Sequence, residues 1–171
     1  IEGSRPATGA AATWLTGQTL GFGPDGLGGV LRAALESARA LRAALVHEIP
    51  GLRPLDPSDS NILCFTVASQ GQALSEANAR TAQVHAGLVG SPAFSMSRTV
   101  LGADSHGELM ARHVASYGGR VDADRLVLLR CVVMNPFWAE PGVRNRLLPE
   151  LVAELRGIIE GAGLGVQSVR A

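Results

Sequence analysis

The run Arg125–Met134, RLVLLRCVVM, decides the fold class. It is continuous, rich in Val and Leu, and followed by Asn135-Pro136, a pair that stops regular structure. An apolar run of this length, bounded by a turn signal, predicts a buried strand. Working outward, Phe94–Leu101 (FSMSRTVL) alternates and predicts a second strand. Asn61–Ala68 (NILCFTVA) predicts a third, and a short extended piece is expected around Leu52–Leu55, among Pro50, Pro54 and Pro57. Helices are expected between and beyond them, over Leu74–Leu88, His106–Tyr117 (closed by Gly118-Gly119) and Val143–Glu160.

Two helices should precede this alternation. In Leu27–Glu48 the residues Leu31, Leu35, Ala38, Leu41, Ala44 and Leu45 recur at three- and four-residue spacings. Arg32, Glu36, Arg39 and Arg42 lie off that stripe and read as a solvated face. The alanine-rich stretch Ala7–Leu20 is bounded upstream by Ser4 and Pro6, which suit a helix start, and downstream by the breaker Gly21–Gly26. Its small apolar residues, Ala10 to Trp14, predict close packing against something. The fold class is therefore α/β, of the α+β kind: two leading helices, then a small sheet with helices packed on one side.

Composition removes several function classes. The chain has 171 residues with 15 basic and 15 acidic side chains, so nothing electrostatic points to nucleic acid or an acidic membrane surface. No apolar run approaches the roughly 20 residues of a membrane span, and no signal peptide is visible. Cys64 and Cys131 each sit in an apolar strand-like run and read as buried thiols of a reducing, cytoplasmic compartment. Every basic residue is arginine. A mechanism that needs a lysine Schiff base is thus excluded for this chain alone. The first residue is Ile1, which leads us to expect a processed subunit, a fragment or a trimmed chain. An N-terminal pyruvoyl group is not expected, because that chemistry starts from a terminal serine and Ser4 is internal.

Few residues form constellations with chemistry. His47, His85, His106 and His113 are scattered without acidic or cysteine partners at ligand spacing, so they read as surface histidines and no metal site is expected. The glycines at 21, 23, 26, 28 and 29 follow no strand and lack a lysine, which makes them a turn between helices rather than a phosphate loop. Gly3 and Ser4, at a helix N-terminus, form either an ordinary cap or an anion site. Arg130 stands between Leu129 and Cys131 in the strongest strand, on the face shared with Leu128, Val132 and Met134. A guanidinium there must find an anion, a backbone carbonyl or water.

Glu2-Gly3-Ser4-Arg5-Pro6, small residues and Trp14 together resemble the G-S-[RK]-x-G…W segment of group II pyridoxal-phosphate-dependent amino-acid decarboxylases. Sphingosine-phosphate lyases carry a similar G-S-R-P. Leu128–Phe137 (LLRCVVMNPF) resembles the decarboxylases' R-x-x-x-x-N-P segment near the C-terminus. The intervening strands and the closing helix fall in the expected order, so the resemblance spans nearly the whole chain.

The resemblance implies the C-terminal part of a fold-type-I enzyme, beginning after the cofactor lysine. Residues 1–48 would be a helical segment from the end of the large cofactor domain, and residues 49–171 the C-terminal small domain. The family's aspartate–histidine–lysine segment and the histidine stacked on the cofactor ring are missing from this chain. No catalytic residue is therefore expected here, and a separate lysine-bearing chain of the same enzyme would be the partner, in a dimeric assembly. By the resemblance, Gly3 and Ser4 would approach the phosphate of pyridoxal 5'-phosphate. Arg130 would contact a substrate carboxylate, to which its planar fork is suited. Ser97 and Thr99, on one face of their strand, would line the site mouth, while Asn135 and Pro136 would shape the strand end. The expected function is L-amino-acid decarboxylation in the assembled enzyme. The alternatives are an aldehyde lyase on the same scaffold and a non-catalytic interaction module.

Overall fold

A computed structural model describes residues 7–161. The chain begins with α1 (Thr8–Leu20) and α2 (Leu27–Glu48) and continues through β1 (Leu52–Pro54), β2 (Ile62–Val67), α3 (Leu74–Val89), β3 (Ser97–Gly102), α4 (Ala103–Ala115) and β4 (Arg125–Val132). A single 3-10 turn, Pro136–Ala139, then leads into α5 (Pro141–Gly161). The strands form one antiparallel sheet in the order β1-β2-β4-β3. Since β4 runs antiparallel to both β2 and β3, those two are mutually parallel. The strand that arrives last in the sequence sits between them, giving a split βαβ arrangement.

Strand alternation divides β4 between two cores. Leu129 and Val133 face α2, α3 and α5, joining Leu63, Phe65 and Val67 of β2 with Leu41, Leu45, Val84, Leu88 and Leu155. Leu126 and Leu128 point the other way, into Met110, Val114 and Tyr117 of α4 and its C-terminal turn. The expectation that all helices pack on one side is therefore corrected: α4 covers the opposite face. The 3.6-residue period tells which stripe of α4 is apolar, but nothing in it says which side of the sheet that stripe meets.

β2 and β4 pair only from Ile62↔Val132 to Phe65↔Leu129. Beyond that point the ladder opens and α3 fills the gap with side chains. The Val67 amide donates to Thr81 Oγ1 at 2.9 Å, and the Val127 amide donates to Asn78 Oδ1 at 2.8 Å. Asn78 Nδ2 donates in turn to the Arg125 carbonyl at 2.7 Å. Backbone groups that a strand neighbour would satisfy are thus satisfied by a helix.

The leading helices depart from the expected stripe. In α2 the buried residues are Ala34, Ser37, Ala38, Leu41 and Leu45, and Leu31 is exposed. The second half of α2 lies on the sheet core, while its first turns and α1 reach past it, and no residue of α1 is buried. Of the predicted solvated residues Arg32, Glu36 and Arg39 are exposed, whereas Arg42 is half-buried and pairs with both carboxylate oxygens of Asp56 at 2.7 and 2.6 Å.

Candidate functional site

The two ends of the sheet face that carries Leu126, Leu128, Arg130 and Val132 are unlike. Around Leu126 and Leu128, α4 closes the face. Around Arg130 no element among the described residues covers it: Arg130, Ile62, Val132 and Ser97 are exposed, and Cys64 and Thr99 are half-buried. Cross-strand register places Arg130 directly between Cys64 of β2 and Ser97 of β3. Thr99 is the next β3 residue on the same face, opposite Leu128.

Ser97 fixes the arginine. Arg130 Nε donates to Ser97 Oγ at 2.9 Å, and the same hydroxyl donates to the Arg130 carbonyl at 3.2 Å. With Nε occupied, the two terminal nitrogens of the exposed side chain make no hydrogen bond among the described residues. Among the described residues no carboxylate pairs with the guanidinium. The result is a cation held in orientation at an open sheet end, an arrangement that receives a planar anion through two parallel hydrogen bonds. Arg130 also acts on its other neighbour. Burial pushes the Cys64 thiol above its ordinary range, and the adjacent positive charge partly offsets that rise.

Of the predicted site residues, then, the structure brings Arg130 and Ser97 into direct contact and leaves Thr99 one register position away. Gly3 and Ser4 lie outside the described residues. Asn135 shapes the strand end, as expected: its Oδ1 accepts from the Phe137 amide at 2.9 Å and caps the 3-10 turn. The thiols of Cys64 and Cys131 are free and half-buried. Strand parity points them to opposite faces of the sheet, so they do not bridge. Among the described residues no group of three or more His, Cys, Asp or Glu side chains is placed to hold a metal ion, and no helix is long and apolar enough to cross a membrane.

Two features escaped sequence reasoning. One of the expected surface histidines, His113, is buried, with Nε2 2.7 Å from Thr66 Oγ1 and its ring edge-on to Tyr117. Burial lowers its pKa below the ordinary 6.5, opposed by the negative charge of Asp56. The His113 position in an apolar stripe with Met110 and Val114 was the available signal. The second feature is a cavity of about 300 Å³ on the other sheet face, lined by Leu41, Phe94, Met96, Cys131 and Trp138. Among the described residues no charged side chain lines it. It is a greasy hollow between α2, β4 and the 3-10 turn, so the chemistry-bearing candidate remains the Arg130 end of the sheet.

No protein-family model matches this chain, and no curated protein matches it.

Proposed function

We propose that this chain is the C-terminal small-domain portion of a fold-type-I, pyridoxal-phosphate-dependent amino-acid decarboxylase of the cytoplasm, completing an active site whose lysine belongs to a partner chain. The observation that carries the reading is the Ser97-oriented guanidinium of Arg130, which has no carboxylate partner among the described residues and is exposed at one end of an otherwise largely buried strand. It agrees with the resemblance of Leu128–Phe137 to the family's closing segment.

No side chain of the chain offers an amine for a covalent link to pyridoxal phosphate, since every basic residue is arginine or histidine. The open sheet end offers one cation, Arg130, and the hydroxyls of Ser97 and Thr99, a donor set for a carboxylate rather than for a phosphate ester cradled by several N–H groups. Pyridoxal phosphate fits as a partner's cofactor, and when bound it supplies the electron sink for decarboxylation. This chain's part is to bind and orient: Arg130 holds a substrate carboxylate, Ser97 holds Arg130, and the apolar side chains of Ile62 and Val132 border the anion.

Intact-mass analysis of the native complex, read with its absorbance spectrum, tests this. A co-purifying lysine-bearing polypeptide, with a visible cofactor band abolished by borohydride, is expected. In that complex Arg130→Gln should raise KM by about 10- to 100-fold, the worth of one charged hydrogen-bonding contact. A colourless chain without a partner sinks the proposal. Release of an aldehyde instead of carbon dioxide would move it to the lyase on the same scaffold. A non-catalytic interaction module is favoured by one observation, the wholly unburied α1, and predicts a partner without cofactor.

A further inference from the structure

The hollow on the sheet face opposite Arg130 reaches into the core rather than running along the surface. Its floor is Leu41, Met96, Val133 and Leu151, all members of the larger core cluster and at most 7% exposed. Protein interiors pack as densely as organic crystals, and a void leaves its walls without contact partners. An opening of about 300 Å³ at this depth therefore leaves apolar wall unpaired, where a small molecule gains contacts without displacing packed side chains.

Size and wall chemistry select the ligand. A dry cavity of roughly 150 Å³ holds one benzene ring, so twice that volume suits two fused rings. Phe94 and Trp138 contribute half-buried aromatic rings, Met96 a thioether and Cys131 a thiol. Rings and sulfur are polarisable and pair well with another ring, edge-on or offset. A charge would stay unpaired there, because no charged side chain lines the hollow among the described residues. The rim supplies one oriented polar contact. Asn135 has its Oδ1 engaged by the Phe137 amide at 2.9 Å, which fixes the side chain and leaves Nδ2 as a donor without a partner among the described residues. The geometry points to a binding site for a neutral, planar, two-ring aromatic molecule that carries one hydrogen-bond acceptor toward Asn135. Strand parity sets it on the opposite face of the sheet from Arg130, so it stands independently of the carboxylate site proposed above.

Coumarin, a neutral two-ring lactone of the expected size, is the probe. It is added to the full 171-residue chain carrying Trp14→Phe, which leaves Trp138 as the only tryptophan. Saturable quenching of Trp138 is expected with a Kd on the order of 0.1–1 mM, ordinary for so small a ligand. In the unsubstituted chain N-ethylmaleimide reports on the wall. Saturating coumarin should slow alkylation of Cys131 by at least about fivefold, while Cys64, on the other sheet face, keeps its rate and serves as the internal reference. Asn135→Asp retains the oxygen that accepts from Phe137 but removes the donor and adds charge, and should weaken coumarin about tenfold with the melting temperature unchanged. 1-Adamantanol, of similar size but globular and without a ring face, should bind at least about tenfold more weakly than coumarin. Quenching that never saturates, equal slowing of both thiols, or equal affinity for the two probes overturns the inference. A hollow already occupied by residues 162–171 or by a second copy of the chain would give the first of these outcomes.

Discussion

One face of the sheet offers a comparison between its two ends. At the closed end, α4 lies over Leu126 and Leu128, and the polar groups beneath it turn inward: His113 to Thr66, Tyr117 against the His113 ring. At the open end the same strand, with the same alternation, presents Arg130 and Val132 to solvent, beside the exposed Ser97 of β3. Strand pattern is common to both ends. What differs is the covering helix, which converts polar side chains at one end into structure and leaves those at the other available to a ligand.

Substitutions can break this contrast, and the greatest effect belongs to the closed end. Leu128→Ala removes a side chain with no exposed surface and should cost about 2–5 kcal/mol in chemical denaturation, while Val132→Ala, on the same face but exposed, should cost less than about 1 kcal/mol. Equal costs would mean that α4 does not seal the sheet. Thr66→Val strips the buried His113 of its partner and should destabilise by about 1–3 kcal/mol. A neutral result would show that water reaches that ring.

Acid should act on the closed end alone. Because burial lowers the His113 pKa, the unfolded chain takes up the proton more readily than the folded one, and stability rises with pH where the two differ. The contribution is fully present above 6.5 and is lost as pH falls through the lower folded value. Urea titrations on either side of pH 6.5 should show this slope, and His113→Gln should flatten it. At the open end Arg130→Gln should change stability by no more than about 0.5 kcal/mol. Its effect is on the neighbour: without the guanidinium the Cys64 thiol should titrate still higher, seen as slower alkylation at fixed mildly alkaline pH. Unchanged alkylation would separate the two side chains electrostatically.

Much of this was legible in the chain itself, because the apolar periods are strong. Arg125–Met134 marked the central strand to within two residues, and α1, α2 and α3 begin and end close to where Gly, Pro and the leucine spacing put them. β3 begins at Ser97 rather than Phe94. Phe94 belongs to a turn, where its amide and that of Ala93 donate to Ser91 Oγ. α4 starts at Ala103, earlier than its apolar stripe, with non-helical geometry at His106. What stayed hidden was relational. Period places Arg130 on a face with Leu128, but only register reveals that Ser97 stands across from it. Likewise, composition marks α3 as polar without disclosing that Asn78 and Thr81 spend their polarity on backbone groups of two different strands.

That last arrangement gives the domain an internal reporter. The Val67 and Val127 amides owe their protection to the seating of a helix rather than to a neighbouring strand. Their hydrogen–deuterium exchange should therefore keep time with the undocking of α3, while the amides of the continuous β3–β4 ladder follow whole-domain opening. A zipper that is closed at one end by its own teeth and at the other by a peg comes apart at the peg first, and these two amides are where that first movement can be read.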